Sequence, residues 1–146
     1  MLKHILLATD GSAASDKATV YAVNLARTYC AKLTALHAVD PYPYEGVGEE
    51  NHVGLMAYAA AAQEQAAIAN AKVAAMCAQD GAPVDFHTVV VENKAVATGI
   101  VEYAQGEDVD LIVVGSHGRS GIARMLLGSV ASRVLAESTL PVLVAR

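Results

Sequence analysis

The chain has 146 residues, of which 54% are hydrophobic and 17% charged, so it is long and apolar enough to bury the core of one domain. Its formal net charge of -5 provides no basic surface, which argues against duplex nucleic acid or an anionic membrane as a partner. The apolar run after Met1 stops at Asp10, and no apolar stretch approaches the roughly 20 residues of a membrane span. We therefore expect one cytoplasmic domain over residues 1–146.

Five short apolar runs, rich in β-branched residues, predict buried strands at residues 3–9, 32–39, 84–91, 110–114 and 141–145. Helical patterns lie between them at residues 12–30, 51–79, 94–105 and 129–137. The second of these helices is rich in alanine, and we expect it to serve only in packing. The alternation predicts an α/β fold, a doubly wound parallel sheet with helices on both faces.

One long irregular stretch, residues 40–50, follows the second predicted strand. Its prolines and glycines exclude a regular element. Because it leaves the carboxyl end of a parallel strand, it should lie at the edge where open α/β sheets bind ligands. A lid, a partner contact and a solvated loop all remain open for it.

A glycine motif joins the fourth predicted strand to the last helix. It consists of Gly115-Ser-His-Gly118, then nine residues, then Gly128-Ser129. Glycines let main-chain N–H groups approach an anion without a Cβ in the way, and the start of a helix adds unpaired N–H donors. The motif therefore predicts a phosphate site, with donors on Ser129, Val130 and Ala131.

Within this motif, Ser116, His117 and Arg119 are candidates for chemistry. Arg119 can add positive charge to the phosphate site. His117 carries an imidazole, which often serves as a general base, but Ser116 has no Gly-x-Ser-x-Gly elbow around it and no partner at triad spacing. We predict that His117 contributes through its backbone near the phosphates or ribose, and that no residue is catalytic.

The first predicted strand ends in Ala8-Thr9-Asp10, which brings a carboxylate to the same edge of the sheet. A carboxylate there can accept hydrogen bonds from ribose hydroxyls. The alternative role of Asp10 is structural, in the turn or cap before the first helix. The motif across the sheet favours the ribose role.

The segment GSHGRSGIARMLLGSV, which begins at Gly115, resembles the signature of the nucleotide-binding branch of the universal stress protein family. The resemblance implies an adenine nucleotide α-hydrolase-like sheet in the order 3-2-1-4-5, ATP or AMP as ligand, and contact of Asp10 with the nucleoside. It also implies a homodimer paired through the last strand, from Pro141 to Arg146. The positions that would hold the base are Ala8, Thr9, Ala38 and Val39.

Two functions remain open. One is a regulatory, nucleotide-binding stress-response module, and the other is a slow ATP hydrolase or adenylyl-transfer enzyme. Hydrolysis requires a group that orients water in line with the leaving phosphate, and the sequence nominates none, so binding is favoured. No spacing of His, Cys or acidic residues predicts a metal site, although a divalent cation can accompany a triphosphate.

Overall fold

A computed structural model describes residues 1–43, 52–117 and 126–146, and in these ranges strands and helices alternate along the chain. The strands are β1 (His4–Ala8), β2 (Lys32–Ala38), β3 (Asp85–Val91), β4 (Leu111–Gly115) and β5 (Val142–Ala145). The helices are α1 (Ala13–Tyr29), α2 (His52–Cys77), α3 (Val96–Gly106) and α4 (Ser129–Glu137). The predicted elements are confirmed, with ends that shift by one or two residues.

The strands form one parallel sheet in the order β3-β2-β1-β4-β5, which confirms the predicted fold. Helices α1 and α2 cover one face of this sheet, and α3 and α4 cover the other. The chain winds outward from β1 to β3 on one side and from β4 to β5 on the other. The boundary between β1 and β4 is therefore the switch point, where α/β sheets bind ligands.

Strand residues alternate between two apolar clusters, one on each face of the sheet. Ile5 and Leu33 pack beneath α1, whereas Leu6 and Leu36 pack against α3 at Ile100. These side chains have almost no solvent exposure. Because β1 and β2 are buried on both faces, most of their residues are apolar and the apolar positions do not alternate with polar ones.

The prediction that all five strands are buried is wrong for β3, and in β5 residues 142–144 are only half-buried. Each residue of β3 is either half-buried or exposed, and Val90 is 40% exposed. Nε2 of His87 forms an exposed ion pair with Asp85 at 2.8 Å. β3 is an edge strand, and its β-branched composition does not distinguish an edge from the centre of a sheet.

Helix α2 is 26 residues long, yet its buried residues are confined to Ala66, Ala69 and Val73. Much of its surface is thus exposed despite its alanine content. Throughout the described ranges, we find no helix with both the length and the apolarity needed to cross a bilayer.

Candidate functional site

A cavity of about 480 Å³ opens at the carboxyl ends of β1, β2 and β4, within the usual size range of small-molecule sites. The predicted site residues that line it are Ala8, Thr9, Asp10, Ala38, Val39, Gly115, Ser116, His117, Gly128, Ser129, Val130 and Ala131. Two further predicted residues, Gly118 and Arg119, lie outside the described residues, as does most of the irregular stretch, from 44 to 50. The fold thus brings residues from both halves of the chain into one cavity.

The amino-terminal end of α4 faces this cavity with open donors. Its N-cap is Gly128, which has no side chain to cap the helix, and the first turn carries no acidic residue. The first bond of the helix runs from the Ser132 N–H to the Gly128 carbonyl at 2.9 Å. Within the described part of the chain, the N–H groups of Ser129, Val130 and Ala131 have no protein acceptor. Such an end attracts an anion through both hydrogen bonding and the helix dipole.

Two glycines set the close approaches that shape this end of the cavity. The Gly128 N–H donates to the Ser116 carbonyl oxygen at 2.7 Å, and a Cβ on Gly128 would lie 3.0 Å from that same oxygen. A Cβ on Gly115 would lie 3.1 Å from the Ala14 carbonyl oxygen. These glycines therefore let the end of β4 lie tightly against the beginnings of α4 and α1.

The turn after β1 holds Asp10 at the rim of the cavity. Oδ1 of Asp10 accepts a hydrogen bond from the Ser12 N–H at 2.9 Å. The carboxylate therefore does stabilise the turn before α1, which was the alternative role considered for it. Gly11 has a φ of +75°, in the left-handed region that favours glycine, and Lys72 donates to its carbonyl at 2.6 Å. A carboxylate can accept several hydrogen bonds at once, so its bond within the turn is compatible with a ligand contact.

The alternation of the β2 main chain decides which of its groups face β1. The Lys32 N–H donates to the Lys3 carbonyl at 2.8 Å, and the Leu36 carbonyl accepts the Thr9 N–H at 3.0 Å. Even-numbered residues of β2 therefore point their N–H and C=O groups toward β1. By the same alternation, Ala38 is the next residue to do so.

At Ala38, however, the ladder between β1 and β2 has ended. Continuing it would require the Ala38 N–H to bond the Thr9 carbonyl and the Gly11 N–H to bond the Ala38 carbonyl. Instead, the Gly11 N–H donates to Oγ1 of Thr9 at 3.2 Å, and Nδ1 of His37 donates to the Thr9 carbonyl at 3.1 Å. No described residue bonds the main chain of Ala38 toward β1, which leaves a donor and an acceptor side by side at the cavity.

Helix α2 forms a wall of the cavity that the sequence reasoning missed. The residues of this wall, at helical spacings of three, four and seven, are Tyr58, Ala61, Ala62 and Gln65. The Tyr58 hydroxyl donates to the Asp40 carbonyl at 2.7 Å, and its ring centroid lies 5.2 Å from that of Tyr42. The signal available in the sequence was the spacing of Tyr58 and Gln65, which lie seven residues apart in an alanine-rich helix. The prediction that α2 serves only in packing was therefore incomplete.

A polar pair lies at the end of the cavity that the start of α4 forms. Ser116 is buried, at 6% exposure, and its Oγ lies 2.9 Å from Nδ1 of His117. Both residues line the cavity. No group of three or more His, Cys, Asp or Glu residues suited to a metal ion occurs among the residues the structure describes.

Comparisons with known proteins agree with this architecture. The model of the universal stress protein family matches residues 1–146. A universal stress protein of Methanocaldococcus jannaschii is 37% identical over 146 residues, covering 100% of this chain and 83% of the relative. One from Bacillus subtilis is 34% identical and is covered over 100% of both chains.

Solved structures give the same assignment. A universal stress protein from Lactobacillus plantarum has a TM-score of 0.79 and 29% identity, covering 99% of this chain and 98% of that one. Another universal stress protein, solved in complex with cAMP, has a TM-score of 0.70 and 28% identity, covering 99% of this chain and 97% of that one. By its sequence throughout its length and by its fold, the chain belongs to the universal stress protein family.

Proposed function

We propose that this protein binds an adenine nucleotide, ATP or AMP, in the cavity and acts as a regulatory module of a stress response. The observation that carries the proposal is the order of the polar groups across the sheet: the main chain of Ala38 at the end of β2, Asp10 after β1, and Gly128 beyond β4. Neighbouring strands lie about 4.8 Å apart, so these groups follow one another over about 10 Å. This order suits a base, a ribose and a phosphate.

The main chain of Ala38 favours adenine at the base end. Adenine offers an acceptor at N1 beside a donor at its exocyclic N6 amine, which complements one N–H and one C=O group. Guanine and hypoxanthine carry the opposite pattern, an O6 acceptor beside an N1 donor. The related protein solved in complex with cAMP supports an adenine ligand.

The phosphates would lie against the N–H groups at the start of α4. Ser129 can add its hydroxyl, and the helix dipole favours the negative charge. A divalent cation would arrive with a triphosphate and be held mainly by phosphate oxygens, because the described residues contain no three-residue acidic or histidine cluster.

Calorimetry with Asp10→Asn tests the ribose contact. The asparagine keeps an oxygen for the Ser12 N–H but loses the charge, so adenosine and AMP should bind about tenfold more weakly or worse. Pyrophosphate should bind as before. Asp80→Asn, at an exposed position away from the cavity, is the matched control. Equal losses for adenosine and pyrophosphate would refute the ribose role.

A specific feature favours a second function, slow hydrolysis or adenylyl transfer. The hydrogen-bonded pair of Ser116 and His117 places an imidazole, which can accept a proton, at the phosphate end. A turnover assay separates the functions: an enzyme would release phosphate or pyrophosphate faster than its His117→Gln variant, whereas a binding module would match that variant. We favour binding, because main-chain donors hold phosphates without orienting a water.

We also propose that the protein forms a homodimer through β5, which is an edge of the sheet. The Ile112 N–H donates to the Pro141 carbonyl, and the Ser116 N–H donates to the Ala145 carbonyl, so odd-numbered residues face β4. The N–H groups of Val142 and Val144 then point outward, where a second copy can pair with them.

The variant Val144→Pro tests this pairing, because proline removes an outward N–H but leaves the bonds to β4. Light scattering after size exclusion should show a dimer for the parent and a monomer for the variant. The control is Val90→Pro, which removes an outward N–H from the opposite edge strand β3. A dimer that survives Val144→Pro would contradict the proposed interface.

A further inference from the structure

We infer that His37 is a positioning residue that keeps the main chain of Ala38 available to the base by occupying the Thr9 carbonyl. The inference rests on the proposed nucleotide function and deepens it: His37 lines the cavity, and we assign it a part in the choice of base through its bond to Thr9 rather than through a contact with the ligand.

The contact of His37 with Thr9 is well defined. His37 is 6% exposed, and its Nδ1 lies 3.1 Å from the Thr9 carbonyl oxygen. A carbonyl oxygen can only accept a hydrogen bond, so Nδ1 must carry the hydrogen. This bond orients the ring, and a neutral His37 then carries its hydrogen on Nδ1.

The Thr9 carbonyl is the group that the Ala38 N–H would reach if the ladder between β1 and β2 continued. A buried carbonyl needs a donor, and in this fold the donor is the imidazole. Without it, the Ala38 N–H is the donor that the geometry of the ladder supplies next. That bond would extend the hydrogen-bond ladder between β1 and β2 by one bond, and the Ala38 N–H would no longer be available to adenine N1.

The choice of base thus depends on whether the Ala38 N–H bonds the Thr9 carbonyl or remains available to the ligand. With His37 present, the Ala38 N–H is left for an acceptor on the base. If the Ala38 N–H bonds the Thr9 carbonyl instead, the base loses that hydrogen bond, and the affinity for adenine exceeds that for hypoxanthine by less. A purely structural histidine would instead alter the binding of both bases equally.

Two substitutions separate these roles. His37→Asn keeps a donor, because the asparagine amide nitrogen can occupy nearly the position of Nδ1. His37→Leu keeps similar bulk but donates nothing. The matched control is His87→Leu on β3, where the histidine is exposed, pairs with Asp85 and does not line the cavity.

Calorimetry with AMP and IMP measures the effect, because these nucleotides differ only at the edge of the base that would face Ala38. We expect the parent, His37→Asn and His87→Leu to prefer AMP. In His37→Leu, AMP affinity should fall about five- to tenfold, the worth of one hydrogen bond, while IMP affinity changes less. Equal losses for the two nucleotides, or no rescue by asparagine, would overturn the inference.

Measurements on the parent protein keep the inference testable if His37→Leu does not fold. Side-chain nitrogen shifts in NMR should identify the Nδ1–H form of His37. The Ala38 amide should exchange rapidly with solvent and become protected when AMP is added. An Ala38 amide protected before AMP is added, or the other tautomer, would overturn the inference. A parent that binds neither AMP nor IMP would contradict the proposed function instead, while the tautomer would still test the bond to Thr9.

Discussion

Replacing Gly128 with alanine adds one methyl group where α4 begins. The new Cβ would lie 3.0 Å from the Ser116 carbonyl oxygen and 3.3 Å from the His117 Cα. The φ of Gly128 is -60°, which any residue adopts, so the cost comes from space and not from backbone strain. The Gly128 N–H bonds the same oxygen at 2.7 Å, so the two backbones cannot separate without weakening that bond.

The magnitude follows from the crowding. Forcing an extra methyl into a closely packed position costs about 1 to 3 kcal/mol. If the start of α4 moves to relieve the contact, its N–H groups leave the positions that a phosphate would use. ATP affinity should then fall by about five- to a hundredfold, since each 1.4 kcal/mol is a factor of about ten. Adenosine, which has no phosphate, should bind nearly as it does to the parent protein.

Calorimetry with ATP and adenosine provides the assay, and Gly106→Ala is the control. Gly106 ends α3, and a Cβ there would meet no atom within 4 Å, so this variant should bind both ligands like the parent protein. Unchanged ATP affinity in Gly128→Ala would refute the assigned phosphate site. Equal losses for ATP and adenosine would show a general distortion of the cavity instead.

Three further predictions concern stability and reactivity. Arg27 donates to carbonyls at the end of α2, so Arg27→Met should lower the free energy of unfolding in urea by about 1 to 3 kcal/mol; an unchanged midpoint would contradict this. Main-chain N–H groups at the start of β1 hold the pKa of Asp110 below its ordinary 3.8, so this carboxylate stabilises the fold above that pH and the effect fades in acid. Asp110→Asn should therefore lose less stability than the parent between about pH 6 and pH 2, and parallel curves would refute it. Burial raises the pKa of the Cys77 thiol, with Arg27 opposing this, so iodoacetamide should modify exposed Cys30 first, as peptide mass spectrometry can test.

Periodicity and composition were sufficient to predict the elements and their order. Runs such as those of β1 and β4 are almost entirely apolar because both faces of these strands are buried. The same reasoning failed for β3, since an edge strand can carry a similar composition. The exposure of a strand depends on its neighbours in the sheet, which a run of residues does not specify.

Part of the candidate site was predictable for a related reason. Asp10 and Gly128 each follow or precede an identifiable element, so their place at the carboxyl edge follows from the fold alone. The wall at Tyr58 depends on how α2 crosses that edge, and the link between His37 and Thr9 depends on where the β1 ladder stops. These two features depend on strand register and helix packing, and the periodicity of apolar residues in the sequence does not determine either one.

The most direct measurement of the central claim is an amide NMR titration of the isotope-labelled protein with ATP. Binding at the carboxyl edge should shift the amides of Ala38, Ser129 and Val130 at the two ends of the cavity, and leave that of Thr28, near the far end of α1, in place. A spectrum unchanged by ATP, or shifts confined to residues away from the cavity, would contradict the account.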